Sequence, residues 1–157
     1  MRFVALIVWF VTALWGLHML AVWLIENDAT RQGNAASRLP LPVILAHVGL
    51  AVTGLVVWVA YLLLDRPVLA WTAVGILVGI ALLGLAMFAR WIPVYRMADD
   101  RDRVPVGATA GGTPEGRSPR DLPAEGSFPL LIVLAHGAFA ASTVVLVVLT
   151  ALGVGGS

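Results

Sequence analysis

The sequence predicts an all-α membrane protein: four transmembrane helices in an antiparallel bundle, built as a doubled helical hairpin. Three observations predict it. Four runs of about 20 or more residues lack charged side chains, which is the length a helix needs to cross a bilayer core. Only 12% of the 157 residues are charged, 60% are hydrophobic, and the mean hydropathy is +0.94. A soluble domain carries about 25% charged residues, so lipid must be part of this chain's solvent. Finally, two segments of the chain recur within it.

The spans are expected at about residues 3–25, 41–64, 67–90 and 129–152, in one domain covering 1–157. Phe3 to Ile25 is too long for the core of a signal peptide, about 7–15 residues, so it reads as a retained span. Trp23 near its end suits an interfacial belt. Glu26 to Leu39 is polar and reads as a connecting loop. Pro40 and Pro42 open the second run, where proline is tolerated because the first helical turn leaves its amides unpaired. Asp65-Arg66-Pro67 is so short a turn that its two helices must be antiparallel neighbours. The third run carries Gly75 and Gly79, a small-x-x-x-small spacing that favours close helix approach. A hydrophilic segment over about 92–127, rich in Gly, Pro, Asp and Arg, is expected to be a loose surface loop. The fourth run completes the bundle before a small tail at Gly153 to Ser157.

The repeat has two parts. Pro40 and Pro129 are each followed by four residues and then Leu-Ala-His, giving His47 and His136 at an offset of 89. Ala13 to Leu24 matches Ala81 to Ile92 at an offset of 68, with seven of twelve positions identical. The difference in offset is the extra length of the second hydrophilic loop. Both hairpins then enter the membrane from one side, related by an axis along its normal.

This topology puts three histidines at one depth. His18 is seven residues before Ile25, His47 seven after Pro40, and His136 seven after Pro129. At 1.5 Å per residue each is about 10 Å inside the same membrane face. Arg31, Arg38, Arg96, Arg101, Arg103, Arg117 and Arg120 belong to the loops on that face, against Arg2 and Arg66 opposite. The positive-inside rule puts the histidine side and the long loop in the cytoplasm of a cell-membrane protein, with both termini outside.

An ionisable side chain inside a span is a functional hypothesis by default. The leading one is a single b-type haem ligated by His47 and His136, which needs two neutral imidazoles facing each other across a bundle. Ile44, Ala51 and Gly54 share the His47 face; Val133, Ala140 and Thr143 share that of His136. Both faces become small away from the histidine, as a macrocycle would require. Arg90 and Arg38, near the membrane end, are candidate propionate partners.

Paired helices, same-depth histidines and a following small face resemble the bis-histidine b-type cytochromes built on four membrane helices. The resemblance covers the four spans and implies electron transfer, with other membrane redox subunits or a second copy as partners. His18 aligns with Ala86 in the repeat, so a second matched pair is missing. An alternative is a cofactor-free accessory subunit whose histidines bond between helices. A third is a copper-type site using His18, His47 and His136 with Met19 and Met87 as soft ligands.

Other classes are excluded more firmly. A net charge of +1 gives nothing to hold nucleic acid. The absence of cysteine removes disulfides and thiolate chemistry. No carboxylate lies within a span, which argues against a carboxylate-type ion pump. No serine–histidine spacing, phosphate loop or zinc-protease motif is present, so an electron carrier or accessory subunit is expected rather than an enzyme.

Overall fold

A computed structural model describes residues 1–31, 37, 39–102 and 124–154; the side chains of 27–31, 98–102, 124 and 127 are not among those described. The chain forms α1 (Arg2–Arg31), α2 (Leu41–Leu64), α3 (Pro67–Asp102), a 3-10 helix (Ala124–Ser127) and α4 (Leu130–Ala151). All four α-helices are long and apolar enough to cross a membrane. Large apolar side chains such as Phe3, Ile7, Leu63, Leu82 and Leu131 are exposed along them. In water that surface would be costly; in a bilayer it is the lipid-facing surface of a multi-pass membrane protein.

Pro40 and Pro129 occupy the N-cap of α2 and α4 with nearly identical backbone angles, φ −66° and −63° with ψ 126° in both. At the other end of α2, Asp65 takes a left-handed conformation (φ 49°) and its amide bonds the Tyr61 carbonyl at 2.9 Å. The reversal into α3 follows at once. Arg2 closes this end of the bundle, pairing with Asp65 at 2.8 Å and lying over the Tyr61 ring.

Two helix ends depart from the hydropathy reading. α1 continues to Arg31, into the polar segment read as a loop, and α3 continues through Pro93 to Asp102, well past the expected end at residue 90. Hydropathy marks where a helix leaves lipid, not where its hydrogen-bond ladder stops. Proline inside a helix removes one bond of that ladder, and here Trp91 and Val94, both buried, hold the α3 backbone on either side of it. The expected loose loop over 92–127 is thus corrected at both ends, with the 3-10 helix as its second ordered part. Residues 103–123, including Arg103, Arg117 and Arg120, lie outside the described residues.

α2 packs chiefly on α3 and α4 on α1, while α1 and α3, like α2 and α4, are diagonal, with no close backbone approach among the described residues. The bundle is two layers, α2/α3 and α4/α1, and each layer takes one helix from each half of the chain. The core obeys the repeat. Buried Ala5, Trp9 and Trp23 have buried counterparts Ala73, Leu77 and Trp91 at an offset of 68; buried Gly54 and Trp58 have buried Thr143 and Val147 at an offset of 89. At three of these five pairs the sizes differ: Trp9 against Leu77, Gly54 against Thr143 and Trp58 against Val147. The core aromatics pack one on the next with tilted planes, Trp9–Trp58 at 6.5 Å and Trp58–Tyr61 at 4.9 Å between ring centroids.

Gly75 and Gly79 are not where helices come closest: a Cβ on Gly75 would meet nothing within 4 Å, and one on Gly79 only an ordinary contact with Leu50. The close approach is at Gly54, where a Cβ would lie 2.9 Å from Trp9 Cζ2 and 3.0 Å from Ile76 Cγ2. Overpacking of this kind costs about 1–3 kcal/mol. Gly54→Ala should therefore lower the thermal unfolding midpoint in detergent, followed by tryptophan fluorescence, whereas Gly75→Ala should leave it unchanged or raise it.

Candidate functional site: a clasped histidine pair

His47 and His136 meet at the centre of the bundle although they come from diagonal helices. Their ring centroids are 6.4 Å apart, with the planes inclined at 54°. Both rings are partly buried.

Each ring is held by the other helix of its own layer. His47 Nδ1 lies 3.1 Å from the Ile80 carbonyl on α3, and His136 Nδ1 lies 3.1 Å from the Thr12 carbonyl on α1. Thr12 and Ile80 are repeat counterparts. A carbonyl only accepts, so Nδ1–H is the donor in both bonds. In a neutral imidazole the lone pair then belongs to Nε2, the atom that no carbonyl occupies. The remaining freedom of each ring is limited by a glycine one turn further along the clasping helix. A Cβ on Gly84 would come within 3.3 Å of His47 Cε1, and one on Gly16 within 3.0 Å of His136 Cε1. The glycines bring helix backbone against imidazole, and the carbonyl four residues earlier accepts the Nδ1–H hydrogen bond.

Thr12 also joins the layers' interior by its side chain. Its hydroxyl bonds the Val8 carbonyl at 2.8 Å and meets the Thr143 hydroxyl at 3.2 Å. This anchors the turn of α1 that presents the accepting carbonyl.

The other sequence candidates do not join the pair. His18 is exposed on α1; two residues from Gly16 is about 200° of helical rotation, so it faces away from His136. Met19 is partly buried, and Met87 packs in a separate apolar cluster with Trp23, Leu39 and Ile44. Arg90 is exposed on α3, and Arg38 lies outside the described residues. Among the described residues no three His, Asp or Glu side chains converge as a metal cluster. The sequence reading passed over Gly16 and Gly84. Their signal was present, since both are identical positions of the aligned segments; what was missing was the face of the helix that each occupies.

A second polar group lies toward the histidine-side end. Trp23 Nε1 donates to Ser37 Oγ at 3.1 Å, and Trp91 Nε1 donates to the Glu125 carbonyl at 3.1 Å. Ser37 Oγ in turn donates to the Glu125 carboxylate at 2.8 Å and receives the Leu39 amide at 3.1 Å. Glu125 is fully buried.

No protein-family model, curated protein or solved structure matches the chain. The geometry itself must therefore carry the functional reading.

The clasp makes a spectroscopic prediction. With the histidine nitrogens labelled, magnetic resonance should find His47 and His136 as Nδ1–H tautomers with bare Nε2. Gly16→Ala should disturb the His136 signals and leave those of His47, and Gly84→Ala should do the reverse with a smaller effect. An Nε2–H tautomer at either ring would contradict the assigned bonds.

Proposed function

We propose that the chain binds one b-type haem between His47 and His136 and carries electrons in a membrane redox system. The observation that supports this is the spacing of two clasped imidazoles. One metal held by both Nε2 atoms, with bonds of about 2 Å, would require the ring centres to lie within roughly 6.5 Å of each other. The observed separation is 6.4 Å. Histidines that bind metals nearly always donate their other ring N–H to a carboxylate, a backbone carbonyl or water, which fixes the tautomer and raises ligand basicity. Both rings do this here. Such a group would be held by His47 and His136, and Gly16 and Gly84 place no side chain of their own against the rings.

When bound, such a group supplies a one-electron redox centre. The chain's own residues supply the rest. His47 and His136 offer the two lone pairs, the Ile80 and Thr12 carbonyls hold the ring orientations, and the apolar helices exclude water. His18, Met19 and Met87 have no part in this site. The competing reading, a cofactor-free accessory subunit, draws on the same two carbonyl bonds, since a histidine clasp also ties helices together. It leaves the close facing of the two rings without a purpose.

The separating measurement is an absorption spectrum of the purified protein, oxidised and then reduced with dithionite. Sharp reduced bands of a low-spin b haem are expected, and both His47→Ala and His136→Ala should lose them. Protein made with ample haem that shows no Soret band would overturn the haem reading. In that case each substitution should cost only about 0.6 kcal/mol, the mean for an interhelical hydrogen bond in a membrane.

We also propose that the histidine side faces the cytoplasm, on the loop arginines. The chain has no cysteine, so single reporters are clean. In intact cells an impermeant maleimide should label Arg66→Cys directly and Gly111→Cys only after permeabilisation; the opposite pattern reverses the orientation.

A further inference from the structure

The 3-10 helix Ala124–Ser127 packs on both α1 and α3, the diagonal pair whose backbones otherwise stay apart among the described residues. It therefore bridges the two layers at the histidine-side end, above the seam between them. Trp23 and Trp91 are each seven residues beyond the glycines that touch the histidines, about 10 Å along the helix axis. Their indoles are repeat counterparts, and each binds one of the two segments leading into α2 and α4. The link between those segments is Glu125. Its carboxylate takes the Ser37 hydroxyl while its own carbonyl takes the Trp91 indole. Leu39, Ile44 and Trp23, with Phe128 and Met87, form an apolar plug beneath this tie.

A carboxylate hidden from solvent is expensive unless its hydrogen bonds are met, and it is a poor choice for simple packing. From its place over the seam we infer that Glu125 is the latch of the cofactor site: it ties the two histidine-side segments together and holds a haem in the bundle. The latch rests on the haem reading above. Glu125 is a positioning residue in this scheme, acting through Ser37 and Trp91 and not as a ligand.

The test is haem release. Protein in lipid nanodiscs is mixed with excess apoglobin, and loss of its own Soret band is timed. Glu125→Ala should release haem at least about tenfold faster, a barrier change of about 1.4 kcal/mol, with an unchanged reduced spectrum because the ligands remain. Ser37→Ala removes the same cross-tie while keeping the Glu125 side chain, and should also speed release. Glu125→Gln keeps an acceptor for Ser37 and should stay near the wild-type rate. Release from the alanine variants at the wild-type rate overturns the latch and leaves the haem reading standing. Absence of haem from the wild-type protein overturns both. If Glu125→Ala fails to fold, Ser37→Ala alone decides.

Discussion

The contact on which the site depends is an imidazole N–H bonded to a helix carbonyl that already belongs to its own helix. In lipid no water is present to satisfy a ring nitrogen, and every polar group must find a partner in the protein. Backbone carbonyls of a neighbouring helix are normally screened by side chains. Gly16 and Gly84 remove the screen, and the carbonyls of Thr12 and Ile80, one turn away, become reachable. Once those bonds form, both rings have one orientation, and their remaining nitrogens are directed by the clasp and not by rotamer preference.

The same constraint explains the layer arrangement. A histidine on α2 cannot be clasped by its sequence partner α1 if the carbonyl it needs is on α3. The tight pairs are accordingly α2/α3 and α4/α1. The core beneath follows from that choice. Trp9, Trp58, Leu77 and Val147 share one buried cluster, and Gly54 admits the Trp9 ring. Two copies of one hairpin thus share one core with unequal side chains.

Much of this was legible in the residues. Charge-free runs marked all four helices, Asp65-Arg66-Pro67 marked the α2/α3 pairing, and the repeated Leu-Ala-His marked the two residues that meet. Four features were not legible. The helices outrun their apolar segments because hydrogen bonding within a helix does not require lipid. Gly75 and Gly79 match a packing motif, yet Gly75 faces open space and Gly79 makes only an ordinary contact with Leu50, since spacing gives a face without saying which face is used. Glu125 sits in a segment whose composition reads as solvated, and only the fold brings the Ser37 hydroxyl to its carboxylate and the Trp91 indole to its carbonyl. His18 shares the depth of the pair but lies on the wrong side of α1, a distinction of helical phase that depth arguments do not contain.

The clasp joins the first half of the chain to the second in both layers. α1 presents Thr12 and Gly16 to α4, the last helix of the described chain, and α2 presents His47 to α3. During biosynthesis α1 enters the bilayer with that face uncovered, and it stays so until the helix beginning at Leu130 arrives. The two rings cannot face each other before then. Assembly of the site is therefore a late event in membrane insertion, and a chain interrupted in its long hydrophilic loop would hold one clasped histidine at most.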